Sequence, residues 1–290
     1  MLDQDQISNF NRDGFIILRD AIEPSLVNAM AAQLDKWIDE SRTHASNYGE
    51  MLNGKMRFDL EQGHTREHPR LRRVGNPVDI SEPFQQVLWQ GAVVNAVADL
   101  IGPDVKFHHC KLNIKLPNTN TRVDYHQDHP FDPHTNDDHA VVLVMVDDMN
   151  ENNGCLRIVP GSHKGPHFTH YDGDTFTGKV DEATQKMCQE QAVSVEGRAG
   201  DVCIMTGWSL HGGTANKSSN PRRLLICDYF AADAFPLLPP MVASEHHGKI
   251  VSGYGTRVAR FREGTVELPY HYEHDSFFGA QGQKAAVAMN

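Results

Sequence analysis

His126, Gln127 and Asp128 stand together in "RVDYHQDHPF", and far along the chain His211 opens "HGGTANKSSNPRR". Two imidazoles and a carboxylate can occupy one face of a ferrous ion and leave the other positions open to a cosubstrate and dioxygen. On a strand, residues at i and i+2 share a face, so His126 and Asp128 can point into one cavity. Gln127 then points away, unless the strand bends and lets it reach substrate or cosubstrate. With 17 histidines in the chain, one H-x-D pair carries little information. Its weight comes from His211 as a third ligand on another strand, and from Arg222, which starts the next strand-like run. A guanidinium pairs bidentately with a carboxylate and is always charged, so a buried Arg222 suits a dicarboxylate that also chelates the iron. Arg223 is an equally good local candidate, and period-2 alternation lets only one of the two face inward. The same donor set also suits catalytic zinc, which leaves a hydrolase, an isomerase or a non-catalytic metal-binding sensor as alternatives. Arg222 favours the oxygenase, because a hydrolase has no use for a dicarboxylate clamp.

The elements that must position these groups change character along the chain. Residues 1–103 read as a helical N-terminal part: a short polar helix ending at Gly14, the strand "FIILRDAI", and a helix from Pro24 whose Val27, Met30, Leu34 and Ile38 recur at helical spacing. Residues 45–80 show no clear periodicity and read as a long polar loop carrying Arg57, Arg66, Arg70, Arg72 and Arg73. One helix is expected from "EPFQQVLWQG" to about Gly102. From 104 to 230 short apolar runs such as "HAVVLVMVDDM", "GCLRIVP" and "RRLLICDYF" alternate with turns, which predicts a jelly roll. Residues 164–192 read as an insertion, and 231–290 as an irregular C-terminal wrap. The expected class is therefore mainly β with flanking helices, a double-stranded β-helix of cupin type, in one domain over 1–290.

A net charge of −11 argues against a general nucleic-acid binder, which needs clustered Lys and Arg, and against an anionic membrane face. Five cysteines without CxxC spacing predict reduced, buried thiols and a cytoplasmic setting. The N-terminus has no apolar run of signal-peptide type, and no stretch is long enough to span a bilayer. The expected partner is a small-molecule substrate, with the chain a monomer or homodimer. The run "REHPRLRR" is the best substrate clue: read as a binding face, Arg72 and Arg73 would meet an anion at the cavity mouth, and His129 could touch it after the motif. "VPGSHKG" and the adjacent His108 and His109 read as structural.

The array of His126, Asp128, His211 and Arg222 resembles the phytanoyl-CoA dioxygenase family of iron(II)- and 2-oxoglutarate-dependent oxygenases. The resemblance extends to "DQISNFNRDGFIILRDAI", "KLNIKLP", "NENNGCLRIVPGSHKG" and "HGGTANKSSNPRRLLICDYF", in order, over about residues 5–230. It implies that His126, Asp128 and His211 hold Fe(2+), that Arg222 anchors the distal carboxylate of 2-oxoglutarate, and that O2 is the co-reactant. It implies cosubstrate contacts from Lys111 and Asn113 on the strand before the motif. Family members often place a hydroxyl two residues after the distal histidine; here that position is Gly213, and Thr214 is the nearest hydroxyl. Halogenating relatives replace the carboxylate ligand with a small residue, so Asp128 implies hydroxylation of a C–H bond, with release of succinate and CO2.

Overall fold

The computed structural model describes residues 1–117, 121–269 and 277–282. Its strands are β1 (Phe15–Leu18), β2 (Tyr48–Glu50), β3 (Met56–Leu60), β4 (Leu71–Gly75), β5 (Val105–Lys115), β6 (Val123–His126), β7 (His139–Met145) and β8 (Leu156–Ile158). These are followed by β9 (Tyr171–Asp172), β10 (Thr175–Phe176), β11 (Val193–Val195), β12 (Val202–Thr206), β13 (His211–Gly213), β14 (Arg222–Ala231) and β15 (Ile250–Ser252). A large antiparallel sheet runs β1-β12-β7-β14-β5-β4-β3-β2, with β15 also on β5, and a small one runs β11-β8-β13-β6. Residues of both sheets share one apolar cluster, including Leu143, Met205 and Leu224 from the large sheet and Leu156, Ile158 and Val195 from the small. This is the double-stranded β-helix expected from the short runs.

The large sheet is covered on its other face by α1 (Gln4–Asp13), α2 (Pro24–Ser41), α3 (Glu82–Trp89) and α4 (Ala92–Ile101). Phe10, Val27, Met30, Leu34 and Phe84 from these helices pack with Val142, Val144 and Ile204 of the sheet. Strand β7 is thus buried on both faces: Val141, Leu143 and Met145 look into the jelly roll while Val142 and Val144 look at the helices. That explains its unbroken apolar run, since alternation fades when neither face meets water.

Two sequence expectations change. The "loop" at 45–80 carries β2, β3 and β4, which extend the large sheet beyond β5. Its periodicity was hidden because ion-paired side chains are buried among the apolar Phe58, Leu60, Leu71 and Val74: Arg72 lies 3.1 Å from Asp59, and Arg57 lies 3.2 Å from Asp79. The single helix expected up to Gly102 is two, α3 and α4, broken where Gly91 takes φ 82°. The insertion at 164–192 holds the β9–β10 hairpin and α5 (Glu182–Gln191). The expected C-terminal wrap lies partly outside the described residues; within them, β15 joins the large sheet and a short α6 (Phe277–Ala280) reaches the cavity. All five cysteines are free and buried. No helix among the described residues is long and apolar enough to cross a membrane.

Candidate active site

Strands β6 and β13 of the small sheet are antiparallel neighbours, and His126 and His211 are direct cross-strand partners. Their rings stand 4.1 Å apart, centre to centre. The chain bends after His126, and Asp128 opens a 3-10 turn over His129–Phe131. The bend brings its carboxylate between the two rings: Oδ1 is 3.4 Å from His126 Nε2, and Oδ2 is 3.5 Å from His211 Nε2. All three residues are buried.

Backbone carbonyls set the tautomers. His126 Nδ1 faces Asp124 O at 2.9 Å and His211 Nδ1 faces Ser209 O at 3.0 Å. A carbonyl only accepts, so Nδ1 carries the proton in each ring and Nε2 presents its lone pair to the cluster. Burial pushes His211 down to about 4, with His126 adding to the effect, so its neutral ligating form prevails near neutral pH. Burial alone would raise the Asp128 carboxyl; the positive charge that His211 and His126 carry when protonated, and the Lys111 ammonium, outweigh it and hold the carboxyl well below the usual range. Two neutral imidazole nitrogens and a carboxylate, converging from one side, fit ferrous iron with open positions.

A narrow cavity lies beside this triad. Its far wall is β5 and β14, paired so that Arg222 lies opposite Lys115, Leu224 opposite Asn113, and Ile226 opposite Lys111. These six side chains alternate inward and line the cavity. Of the adjacent arginines, Arg222 is the inward one. Arg223 turns outward and pairs with Asp147 at 2.7 Å and Asp35 at 2.8 Å. Arg222 is 3% exposed, and neither its Nε nor its Nη1 has a hydrogen-bond partner among the described residues. Burial pushes it down to about 10.

Lys115, which sequence reasoning missed, stands directly across from it. Its Nζ donates to Gly154 O at 3.1 Å and Thr214 O at 2.5 Å. Burial and the neighbouring Arg222 hold this ammonium well below its ordinary value. Like charges directly opposite on neighbouring strands repel, and a buried cation without a counter-ion costs several kcal/mol. An anion between them removes both penalties, so the donor set fits a carboxylate of 2-oxoglutarate.

Lys111 and Asn113 line the cavity as expected, and so does Arg73, which lies opposite Asn113 on β4. Four other expectations do not hold. Thr214 is exposed and outside the cavity lining; what it offers is its carbonyl, which accepts from Lys115. The space expected for a hydroxyl is filled by that ammonium, for a Cβ on Gly213 would meet Lys115 Nζ at 3.0 Å. Gln127 points away and ties loops together, donating to Trp208 O at 2.9 Å and accepting from Phe168 N at 3.0 Å. Arg72 is held by Asp59 at 3.1 Å and lies over the Phe278 ring, so only Arg73 of that pair reaches the cavity. His129 stacks on Trp208, away from the cavity lining. Phe277 and Phe278 of α6 close the cavity, with Phe277 4.7 Å from the His126 ring. No sequence signal marked them, since a two-residue apolar step in an irregular tail has no period. The "VPGSHKG" turn is structural: Ser162 Oγ accepts from Leu210 N at 2.9 Å, bracing the approach to His211.

Residues 10–224 match the phytanoyl-CoA dioxygenase (PhyH) family. The chain belongs to that family. It is 31% identical to the probable alpha-ketoglutarate-dependent hypophosphite dioxygenase of Stutzerimonas stutzeri, over 75% of this chain and 77% of the relative. It is 25% identical to the 2-aminoethylphosphonate dioxygenase of the uncultured bacterium HF130_AEPn_1, over 78% and 80%. In fold it is similar to EctD from S. alaskensis with bound Fe, with a TM-score of 0.67, 18% identity, and coverage of 89% of this chain and 88% of that one. As a PhyH-family protein the chain is an iron(II)- and 2-oxoglutarate-dependent dioxygenase. The zinc hydrolase, isomerase and sensor alternatives fall away.

Proposed function

We propose that this dioxygenase, working as one domain, hydroxylates a small anionic metabolite, with phosphonates and related phosphorus oxyanions the favoured class. The observation that carries the reading is a second, small pocket that also borders Asp128, lined by Lys55, Arg73, Lys111, His109, Phe131 and Phe277 among others. Arg73, Lys111, Asp128 and Phe277 border both pockets, so a substrate here lies against Asp128 of the triad. Basic side chains outnumber acidic ones around it, in a protein whose net charge is −11. Two relatives carry the names of small phosphorus compounds, hypophosphite and 2-aminoethylphosphonate.

In this reading His126, Asp128 and His211 hold Fe(2+), while Arg222 and Lys115 receive the distal carboxylate of 2-oxoglutarate and Asn113 lies alongside. Bound together, iron and 2-oxoglutarate activate O2 at the expense of the oxo acid, which leaves as succinate and CO2. The protein's part is positioning. Cross-strand pairing fixes the two imidazoles, the carbonyls of Asp124 and Ser209 hold their Nε2 atoms toward the metal, and Arg222 with Lys115 sets the direction of the oxo acid. Phe277 and Phe278 keep water from the cavity, and Arg73 and Lys111 orient the substrate anion next to Asp128.

The test is succinate release from 2-oxoglutarate in the presence of alkylphosphonates, 2-aminoethylphosphonate, hypophosphite, ectoine and an acyl-CoA. Stimulation by the phosphorus oxyanions is expected. Arg73→Ala should raise the KM for that substrate on the order of 10-fold or more while the KM for 2-oxoglutarate stays put. Strongest stimulation by ectoine, or an Arg73→Ala effect confined to 2-oxoglutarate, would reject the substrate assignment.

A further inference from the structure

A second group of the same composition as the triad is buried behind the substrate pocket. His108 and His109 are consecutive on β5, and in a regular strand they would point to opposite faces. The register between β5 and β14 shifts here: His109 pairs with Asp228 and Phe107 with Tyr229, which leaves His108 as the extra residue of a bulge. Bulges re-aim side chains. This one lets both imidazoles reach the carboxylate of Asp132, the residue after the 3-10 turn that Asp128 opens.

His108 Nε2 is 3.0 Å from Asp132 Oδ1, and His109 Nδ1 is 3.9 Å from Oδ2. One ligand atom from each of the three residues lies within 4.8 Å of the other two, as in the triad of His126, Asp128 and His211. Both clusters thus bring two imidazoles and one carboxylate within reach of a single ion. Neither His108 Nε2 nor His109 Nδ1 has a well-formed hydrogen bond among the described residues, although both residues are 2% exposed. Two orphaned ring nitrogens facing one carboxylate are costly by themselves, and one cation placed among them satisfies all three groups.

The surroundings are also those of a ligand. His109 Nε2 lies 3.3 Å from Asp228 Oδ2, and the other oxygen of Asp228 is 3.0 Å from His139 Nε2. Metal-bound histidines commonly have a carboxylate near their second nitrogen, and here Asp228 Oδ2 stands within reach of His109 Nε2 with no hydrogen bond of its own among the described residues. Burial pushes His109 down to about 4, which keeps it in the neutral form that ligates. His109 and Asp132 border the second pocket, so water has access to the remaining coordination positions.

We propose that His108, His109 and Asp132 form a second metal site, separate from the iron triad, that takes a divalent transition ion of the zinc class. Two nitrogens and a carboxylate favour such an ion over calcium or magnesium, which take oxygen ligands. Bound there, the ion ties the turn that begins at Asp128 to β5, and so braces one iron ligand from behind.

The proposal stands or falls apart from the oxygenase reading, because it can be tested with the triad disabled. Full-length His126→Ala/His211→Ala protein, stripped with chelator, is equilibrated with a small excess of Zn(II) or Co(II), and bound metal is counted by elemental analysis. One equivalent is expected to remain, with a Co(II) d–d absorption band. Adding His108→Ala or the near-isosteric Asp132→Asn should reduce it to none, with unchanged circular dichroism. Less than a tenth of an equivalent in the triad variant, or full retention after Asp132→Asn, overturns the proposal. Crystals of wild-type protein soaked in Zn(II) give an independent reading. An anomalous peak among the three residues supports the site, and a peak at the triad alone rejects it.

Discussion

At the residue scale the account rests on Arg222 and Lys115. Two buried cations face each other across β14 and β5, and among the described residues that line the cavity the one acid is Asp128 of the triad. The 2-oxoglutarate carboxylate would make charge-assisted bonds worth roughly 1.5–3 kcal/mol each. Arg222→Gln should therefore raise the Kd of 2-oxoglutarate on the order of 100-fold by calorimetry, while Fe(II) binding persists. Lys115→Met should weaken it less, and adding Gly213→Ser to Lys115→Met should recover part of the loss by returning a hydroxyl to the space the ammonium left. Equal 2-oxoglutarate affinity in Arg222→Gln would contradict the assignment. Much of this site was legible in the sequence, because HxD, a distant His and an Arg are types whose chemistry is narrow. Lys115 was not, since a lysine on an apolar strand carries no sign of which way it points until the β5–β14 register is known. Gln127 and His129 were misread for a related reason: proximity to the motif in sequence does not survive the bend at Asp128.

At the element scale, apolar period and turn residues located the jelly-roll strands, α1 and α2. They failed where burial is achieved by pairing charges, as at Arg57, Asp59, Arg72 and Asp79 in the extension from β2 to β4. They also failed where one glycine divides a continuous apolar run. Gly91 has φ 82° and open space where a Cβ would sit, so the constraint there is conformational rather than steric. Gly91→Ala should cost about 1 kcal/mol in urea unfolding through the left-handed backbone alone, with 2-oxoglutarate turnover unchanged. A stabilised variant would mean that α3 and α4 join without strain.

At the scale of the whole molecule, the mouth of the jelly roll concentrates buried imidazoles. Burial pushes His109 and His211 down to about 4 and His170 to about 3. The unfolded chain takes up these protons from about pH 6.5 downward, the native protein only near pH 4 or below. The unfolded state therefore binds more protons in that window. Stability is full above about pH 6.5 and is lost as pH falls toward 4. The Tm of metal-free protein should drop steadily between pH 7 and 4.5, and a flat Tm would show that these rings are solvated. Metal-loaded protein should resist the drop in the upper part of that range, because ligation competes with protonation.

The central claim is that His126, Asp128 and His211 present an iron(II) site open to 2-oxoglutarate. Its most direct test is the visible charge-transfer absorption that forms when 2-oxoglutarate chelates ferrous iron under anaerobic conditions. The account predicts the band in wild-type protein, its weakening at fixed 2-oxoglutarate in Arg222→Gln, and its loss in Asp128→Ala. No band in the wild-type protein, or an undiminished band in Asp128→Ala, would contradict it.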